Sequence, residues 1–471
     1  MSTERSSSRR GRSRRRRLRL FLAGFGIAIL TLAIVGAAGA AVSAMQGPRT
    51  TDVQVDPAAA VSSSGSRLIL TTNQSLQTVR PEQVTVTPAA PFTVDTSGRS
   101  IGIRFTLPLY DATQYTVQIA NVTGVGGGPA STLSETFQTP DLEVFLLQRA
   151  TDGDTIFRTG LAGTAAVPVF RDAHIEDFRA TSGHLVISLR HDNVPELVVT
   201  DRDGQNRRDL PLPGTGNVSG LESADRGETI GFVYSDRDPA TGAGADSVLY
   251  TVSLSDPTAQ PVAVQPAGAD ARVAQWRFVP DTDRVLIANF AGRLLLTAPG
   301  GTTATDLGTA AAIEGIARGS QLAIIERIDG MVVVNLADGS TTPLPVATGV
   351  PGSEGILTPL PGSANEALRP FAVVTGGVAQ GTTVYRVSAD GTTSKPVFTI
   401  AASAAFLQTC ISPNGRYGAF LLAPDIVSNP YDTYLRPLPG RVETHIVDLD
   451  TGQEVVALAG SDISWCQAAT Q

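Results

Sequence analysis

From about residue 67 onwards, short apolar runs alternate with polar residues and are separated by Gly, Pro, Asp and Ser. Alternation with a period of two predicts strands with one buried face, and the turn residues predict close connections between them. The whole chain carries 47 Gly and 30 Pro, with 42% apolar and 17% charged residues. This balance favours a folded, turn-rich, all-β protein over a disordered chain.

One repeat dominates residues 141–471: an apolar strand, a tight turn and a second short strand. The turns contain Asp-Gly and related pairs, which supply the positive φ that short hairpin turns need. They recur about every 47 residues, a spacing typical of propeller blades. The seven apolar strands lie at residues 156–161, 197–200, 248–254, 293–297, 331–336, 383–387 and 444–449.

Another pair of strands precedes six of these turns, but the unit that begins at Glu143 lacks its first strand. Residues 461–467 read as one short strand with no unit after it. We therefore predict that this last strand completes the first unit and closes a seven-bladed β-propeller, an arrangement that protects sheet edges. The predicted first strands of the other six units lie at residues 175–178, 218–221, 273–276, 313–316, 355–357 and 406–410.

Two parts of the chain resemble known families. The segment CISPNGRY, from Cys410 to Tyr417, resembles the signature of TolB-like and WD40-like bacterial propellers. Residues 67–140 contain alternating runs that predict a small two-sheet sandwich. Within them TVTP, IRFTLPLY, YTVQIANVTG and FQTP, at residues 84–140, resemble the bacterial Ig-like repeat of surface-layer proteins. That resemblance implies a spacer or adhesion module without catalytic residues.

The sequence of the N-terminal 45 residues predicts a location at the membrane. Residues 1–20 contain nine Arg and one Glu, a charge of +8, which leaves −16 for the remaining chain because the total is −8. Residues 20–45 carry no charge and would span about 39 Å as a helix, against about 30 Å of hydrocarbon. We predict a cytoplasmic tail at residues 1–19 and a transmembrane signal anchor at 20–45, with the later domains outside the cell.

A cleaved export signal, with cleavage after the sequence Val42-Ser43-Ala44, is the alternative to an anchor. Residues 46–66 show no periodicity and predict a flexible linker. The acidic body argues against nucleic acid as a partner. The predicted partners are an envelope protein or a glycan, with the membrane contacted through the N-terminal helix.

The two cysteines fall at equivalent positions when the repeats are laid over one another. Cys410 lies on the first strand of the last unit, and Cys466 lies on the strand that completes the first unit. Adjacent first strands approach each other near the channel of a propeller, so we predict a disulfide that joins the two ends of the ring. Two buried free thiols are the alternative.

Few residues suggest chemistry. The four histidines lack metal-binding spacing, and no motif indicates a cofactor, so none is expected. The loop at residues 425–441 is the longest connection between a second and a third strand. Its Tyr431, Tyr434 and Arg436 are residue types favoured in recognition surfaces, which makes it a candidate binding loop. An insertion without a binding role is the alternative.

The combined features predict a non-enzymatic binding, scaffold or sensor protein of the cell envelope. The principal alternative is a propeller enzyme that acts on glycans or lactones at the channel mouth, and a structural surface-layer component is a third possibility. Buried carboxylates or a metal at the channel mouth would favour the enzyme. An apolar or neutral channel would favour the scaffold.

Overall fold

A computed structural model describes residues 21–36, 39, 46–225, 227–238, 240–362 and 365–466. Within these residues the helical parts are residues 21–36 and 39, the short helix Pro57–Ser62, and two 3-10 turns at Pro81–Gln83 and Ile426–Ser428. Nearly all other regular structure is antiparallel strand, as the alternating pattern predicted. The prediction of an all-β protein is confirmed.

The predicted membrane span of residues 20–45 is wrong. None of the helices in the described ranges is both long and apolar enough to cross a membrane. The cell-membrane location inferred from that span is therefore wrong as well. The basic segment 1–19 lies outside the described residues, as do residues 20, 37, 38 and 40–45.

The chain divides into two compact units. The first comprises the described residues up to Asp56 together with Arg67–Arg104 and Gln114–Phe137. It contains two antiparallel sheets, one with strand order β1-β2-β5-β4 and the other with order β3-β6-β7. The strands are β1 Thr50–Gln54, β2 Arg67–Thr72, β3 Val84–Thr87, β4 Phe92–Ser97, β5 Ser100–Phe105, β6 Gln114–Val122 and β7 Ser131–Gln138.

Side chains of both sheets alternate between buried and exposed positions. In β6, Tyr115, Val117 and Ile119 are buried and alternate with more exposed residues, and in β2 Leu68 and Leu70 do the same. This period of two is what two sheets with a shared core require.

The flexible linker predicted at residues 46–66 is a further correction. Thr50–Gln54 pairs with β2 as an edge strand, and Pro57–Ser62 is helical. This strand has no recognisable apolar pattern because TTDVQ is polar, and an edge strand needs few buried side chains. The backbone hydrogen bonds to β2 fix it instead.

The second unit contains residues 138–466 in seven successive antiparallel sheets, which we number 1 to 7. Within each sheet the strands follow the order of the chain. Sheet 1 is β8 Glu143–Gln148, β9 Asp154–Gly160 and β10 Val167–Asp172; sheet 2 is β11 Ile175–Ala180, β12 His184–His191, β13 Val194–Asp201 and β14 Arg208–Leu210; sheet 3 is β15 Asn217–Ser223, β16 Thr229–Ser235, β17 Val248–Ser253 and β18 Val262–Ala263.

The last four sheets repeat this arrangement. Sheet 4 is β19 Val273–Phe278, β20 Val285–Asn289, β21 Arg293–Thr297 and β22 Thr305–Thr309; sheet 5 is β23 Ala312–Ile316, β24 Leu322–Arg327, β25 Gly330–Asn335 and β26 Thr341–Pro343; sheet 6 is β27 Ser353–Glu354, β28 Thr358–Pro359, β29 Ala367–Thr375, β30 Val378–Val387 and β31 Ser394–Ile400; sheet 7 is β32 Ala405–Ile411, β33 Tyr417–Ala423, β34 Glu443–Asp448 and β35 Gln453–Ala459. All seven predicted apolar strands fall on β9, β13, β17, β21, β25, β30 and β34.

Residues 461–466, which we call the closing segment, join the last sheet to the first. Ser461 exchanges two backbone hydrogen bonds with Leu147 of β8, of 2.8 and 3.0 Å. The backbone N–H of Ser464 donates to the carbonyl of Phe145 at 3.0 Å. Cys466 forms a disulfide with Cys410 of β32, with Cα atoms 5.5 Å apart. The predicted disulfide and the predicted link between the two ends are confirmed.

The closing segment is not the regular strand that was predicted for residues 461–467. Asp462 has φ of 52°, so the chain turns away from β8 after one bridge pair. A second turn follows, in which the N–H of Cys466 donates to the carbonyl of Ile463 at 2.8 Å. Gln467 lies outside the described residues.

The first strand of sheet 6 departs from the prediction of a strand at residues 355–357. It is divided into β27 and β28, with Gly355, Ile356 and Leu357 between them outside regular pairing. The opposite strand carries Pro370, which has no N–H to donate, and β28 itself ends in Pro359. A proline on each side removes ladder hydrogen bonds and interrupts the strand.

Two short segments from the earlier part of the chain, residues 57–66 and 105–113, belong to the second unit. They contact the turns between the first and second strands of sheets 4 and 7. The hydroxyl of Ser64 donates to Asp281. The amide of Asn414 donates to the carbonyl of Leu109 at 3.2 Å. These contacts fix two turns on one face of the unit.

The disulfide generates a stability prediction. Replacing both Cys410 and Cys466 by Ser should lower the free energy of unfolding by about 4 kcal/mol, because the closed loop spans 56 residues of the unfolded chain. Denaturant unfolding of the oxidised protein, the reduced protein and the double variant measures the effect. Reductant should destabilise only the wild type. Equal midpoints in all three samples would contradict a stabilising role for the bond.

Candidate functional site

The first strands of four sheets carry a distinctive residue at one common position. In each case the residue pairs with the second or third residue of the neighbouring second strand, so the four positions are structurally matched. The pairs are Arg179 with Val186, Glu222 with Gly231, Arg277 with Leu286, and Cys410 with Ala419. The position that carries the disulfide in sheet 7 therefore carries charged residues in sheets 2 to 4.

Glu222 and Arg277 form an ion pair between sheets 3 and 4. Their side chains are 2.8 Å apart, and only 3% of the glutamate side chain is exposed. Burial raises the pKa of Glu222 from its ordinary 4.5 to about 7, although the Arg277 and Arg179 guanidinium groups oppose the shift. The loss of hydration thus outweighs the attraction of the arginines.

A second buried pair lies in sheet 2. Arg179 contacts Asp177 at 2.6 Å, and Arg436 of the loop at residues 425–441 contacts the other oxygen of the same carboxylate at 3.1 Å. Burial raises the pKa of Asp177, while both arginines act in the opposite direction. Charges of opposite sign therefore occupy this part of the unit in pairs.

A cavity of about 580 Å³ lies among the first strands of sheets 4 to 7 and the closing segment. Its volume is in the range of small-molecule and side-chain binding pockets. Much of its wall is apolar, and the disulfide lies in that wall. Apolar lining residues include Phe278, Ile316, Pro359, Pro361, Phe406 and Trp465.

The divided strand of sheet 6 forms one wall of this cavity. The N–H of Gly355 donates to the carbonyl of Pro370 at 2.9 Å, and the N–H of Leu357 donates to the Glu314 carboxylate of sheet 5 at 3.2 Å. A Cβ on Gly315 would lie 2.6 Å from the ring of Pro359, so the close approach of the two sheets requires glycine there.

Two carboxylates line the cavity. Glu314 is half-buried, and burial raises its pKa. Glu354 lies 3.4 Å from Arg369, whose side chain is almost completely buried. Sequence reasoning did not single out Glu314, Glu354 or the arginines of the first strands. The comparison of repeats that matched the two cysteines would have matched Arg179, Glu222 and Arg277 as well.

The three candidate residues of the long loop have different surroundings. Tyr431 is 57% exposed. Tyr434 donates from its hydroxyl to Asp154 of sheet 1 at 2.8 Å and stacks on His174, with ring centroids 3.9 Å apart. Arg149 lies over the other face of the Tyr434 ring, at 4.0 Å from its centroid.

Arg436 is engaged with Asp177, so two of the three candidates contact sheets 1 and 2 directly. Arg149 adds an ion pair to Asp432 of the loop at 2.8 Å and a hydrogen bond to the carbonyl of Arg436 at 3.0 Å. The loop thus forms a second connection between the last sheet and the first two. A role for Tyr431, Tyr434 and Arg436 in binding a partner stays a prediction.

Each of the four histidines has a carboxylate neighbour. The contacts are His174 with Glu176 at 2.9 Å, His184 with Glu228 at 2.8 Å, His191 with Asp172 at 2.7 Å and His445 with Glu454 at 3.2 Å. In the part of the chain that the structure describes, no group of three His, Cys, Asp or Glu residues is arranged to hold a metal ion.

No protein-family model matches the chain, and no curated protein matches its sequence. Similar solved structures include the β-propeller domain of Cps50 (Swd1) from Myceliophteria thermophila, with 12% identity and a TM-score of 0.40, covering 62% of this chain and 89% of that one. A candidate 6-phosphogluconolactonase from Bacteroides fragilis has 11% identity and a TM-score of 0.41, covering 69% and 96%. Another candidate 6-phosphogluconolactonase, from Bacteroides uniformis, has 14% identity and a TM-score of 0.42, and the match covers 69% of this chain and 98% of that one.

The fold of this chain follows from its own topology. The repeated antiparallel meanders and the link between their two ends are features of a β-propeller. The chain is therefore an all-β protein that contains a β-propeller.

The contacts of the long loop predict unequal effects for its two tyrosines. Tyr434→Phe should lower the free energy of unfolding by about 1–2 kcal/mol, because it removes a hydrogen bond to the carboxylate of Asp154. The matched control, Tyr431→Phe, should change it by less than about 0.5 kcal/mol because that ring is exposed. Denaturant unfolding measures both, and equal effects would contradict the assigned contact.

The raised pKa of Glu222 predicts that the stability of the folded protein depends on pH. Since its folded-state pKa is about 7 and its ordinary value is 4.5, its contribution to stability is fully present below about pH 4.5 and is lost as pH rises towards 7. Glu222→Gln removes this titration. The stability of the variant relative to the wild type should therefore increase between pH 4.5 and 7. Thermal unfolding across that range measures the difference, and parallel profiles would contradict the assignment.

Proposed function

We propose that this chain is a binding protein whose ligand or partner enters the cavity among sheets 4 to 7. In this proposal the seven sheets are the blades of a seven-bladed propeller, and the two-sheet unit before them is an Ig-like module that acts as a spacer. The observation that carries the proposal is a largely apolar cavity of about 580 Å³ at the inner strands.

Three of the four charged residues that line the cavity are engaged in ion pairs, which supports binding rather than catalysis. Arg277 is paired with Glu222 and Arg318 with Asp225. Glu354 lies 3.4 Å from Arg369. Paired carboxylates of this kind position the strands, whereas a catalytic carboxylate has to face a reacting atom.

One observation favours the alternative, an enzyme that acts on a glycan or lactone. Glu314 lines the cavity, and burial raises its pKa, which is the environment of a general acid. Glu354 lines the same cavity. Under this alternative Glu314→Gln abolishes turnover of a lactone or glycan substrate, while under the binding proposal no such turnover exists in the wild type.

Obstructing the cavity provides the principal test. Ala372 is exposed and lines the cavity, so Ala372→Phe fills part of it at little cost to folding. Ala379 is exposed in the same sheet and lies outside the cavity lining, which makes Ala379→Phe the matched control. We expect Ala372→Phe to weaken binding of a captured partner at least tenfold and Ala379→Phe to leave it unchanged.

Partners are captured with the wild-type chain, and the affinity of each is then measured for both variants by calorimetry. Equal affinities for the wild type and Ala372→Phe would contradict binding at the cavity. Circular dichroism and the unfolding midpoint establish that both variants are folded.

A further inference from the structure

Glu314 differs from the other charged residues that line the cavity. Arg277 is engaged by Glu222 at 2.8 Å, and Arg318 forms an ion pair with Asp225. Glu354 lies beside Arg369 at 3.4 Å. Among the described residues no Lys, Arg or His lies within ion-pair distance of Glu314, whose carboxylate accepts a hydrogen bond from the backbone N–H of Leu357 at 3.2 Å.

The environment of this carboxylate is more negative than a count of lining charges indicates. Burial has the largest effect on the pKa of Glu314 and raises it, and the hydrogen bond from the N–H of Leu357 comes next and lowers it. Glu326 and Glu354 then both act in the direction that opposes ionisation. Arg277 acts in the opposite direction, but less strongly. The side of the cavity formed by sheets 5 and 6 therefore presents a carboxylate that lacks a cation.

A second, independent feature is the indole of Trp465 in the closing segment. The side chain lines the cavity, and the residue is 9% exposed. Its Nε1–H is buried and has no hydrogen-bond partner among the described residues. A buried donor without an acceptor is unfavourable, so a ligand that supplies an acceptor removes that cost.

The rest of the wall suits a hydrocarbon stem. Ile316, Pro359, Phe406 and the disulfide sulfur atoms are apolar or weakly polar and line the space that also contains Glu314 and Trp465. A ligand that satisfies all three features carries a positive charge, an apolar stem and a carbonyl acceptor. A lysine or arginine residue of a polypeptide has each of these groups.

We propose that the cavity binds a lysine or arginine residue, with its cationic end at Glu314 and a carbonyl oxygen accepting from Trp465. This inference rests on the proposed binding function and specifies the chemistry of its ligand. Free alkylamines share the cation and the stem but lack the carbonyl group, so they distinguish a peptide source from a small amine.

The test uses the full chain at pH 8, where the Glu222 pair is ionised. The probes are N-acetyl-lysine-N-methylamide, N-acetyl-arginine-N-methylamide, the neutral N-acetyl-norleucine-N-methylamide and n-butylamine. Binding is followed by the fluorescence of Trp465 in a Trp276→Phe background, since these are the two tryptophans of the chain. Calorimetry on the wild type provides the same affinities if that variant does not fold.

We expect the lysine or arginine probe to bind at least tenfold more tightly than the norleucine probe. Glu314→Gln should weaken the cationic probes at least tenfold and leave the norleucine probe unchanged. Glu443→Gln, which removes a carboxylate outside the cavity lining, is the matched control and should change neither. Binding of the cationic probes should also weaken from pH 8 to pH 5, because burial raises the pKa of Glu314.

Equal affinities for the lysine and norleucine probes, or equal affinities for Glu314→Gln and the wild type, would overturn the inference. If n-butylamine binds as tightly as the lysine probe, the cation assignment holds and the carbonyl contact to Trp465 is refuted. If a neutral probe binds and Ala372→Phe abolishes that binding, the cavity remains a binding site while the charge assignment fails. Absence of all cavity-dependent binding would refute both proposals.

Discussion

The second unit depends on the connection between its two ends. Each sheet is a meander that packs chiefly on its neighbours, so an open row would expose the faces of the first and last sheets. The hydrogen bonds between Leu147 and Ser461 and the disulfide between Cys410 and Cys466 remove that exposure. Val144, Leu146, Ile463 and Trp465 form a common buried cluster there. Burial of these side chains stabilises the connection through the hydrophobic effect. The disulfide lowers the conformational entropy of the unfolded chain.

The same strand position is used for different purposes around the unit. Between sheets 7 and 1 it carries a disulfide, and between sheets 3 and 4 it carries the Glu222–Arg277 pair. An ion pair at this depth loses hydration on both partners, as the raised pKa of Glu222 indicates. Its net contribution to stability is therefore smaller than the attraction between the two charges alone would give. The cavity occurs where this pattern is interrupted, beside the divided first strand of sheet 6.

Local pattern was sufficient for most strands and insufficient for three segments. Strands such as β13 and β25 can be predicted from their apolar residues and the Asp-Gly turn that follows each of them. The edge strand Thr50–Gln54 has no such signal, because its backbone pairing rather than its side chains holds it in place. Residues 355–357 read as a strand until Pro370 is placed opposite them, and Asp462 reads as part of a strand although its φ is positive. The first segment depends on its pairing with β2 and the second on Pro370 in the opposite strand. The third depends on the backbone conformation of Asp462.

The all-β class, the seven repeated hairpins and the matched positions of Cys410 and Cys466 were predictable from the amino-acid pattern, because each follows from periodicity and from the equivalence of repeat positions. The three-dimensional fold was needed to establish the helix lengths, the contacts of Tyr434 and Arg436, and the surroundings of Glu314. A helix that crosses a membrane has to be long as well as apolar, and no helix among the described residues is both. The sheets that a long loop contacts cannot be identified until the positions of those sheets are known. A carboxylate acquires its chemistry from burial and from the absence of a nearby cation, and both are properties of the space around Glu314 rather than of its position in the chain.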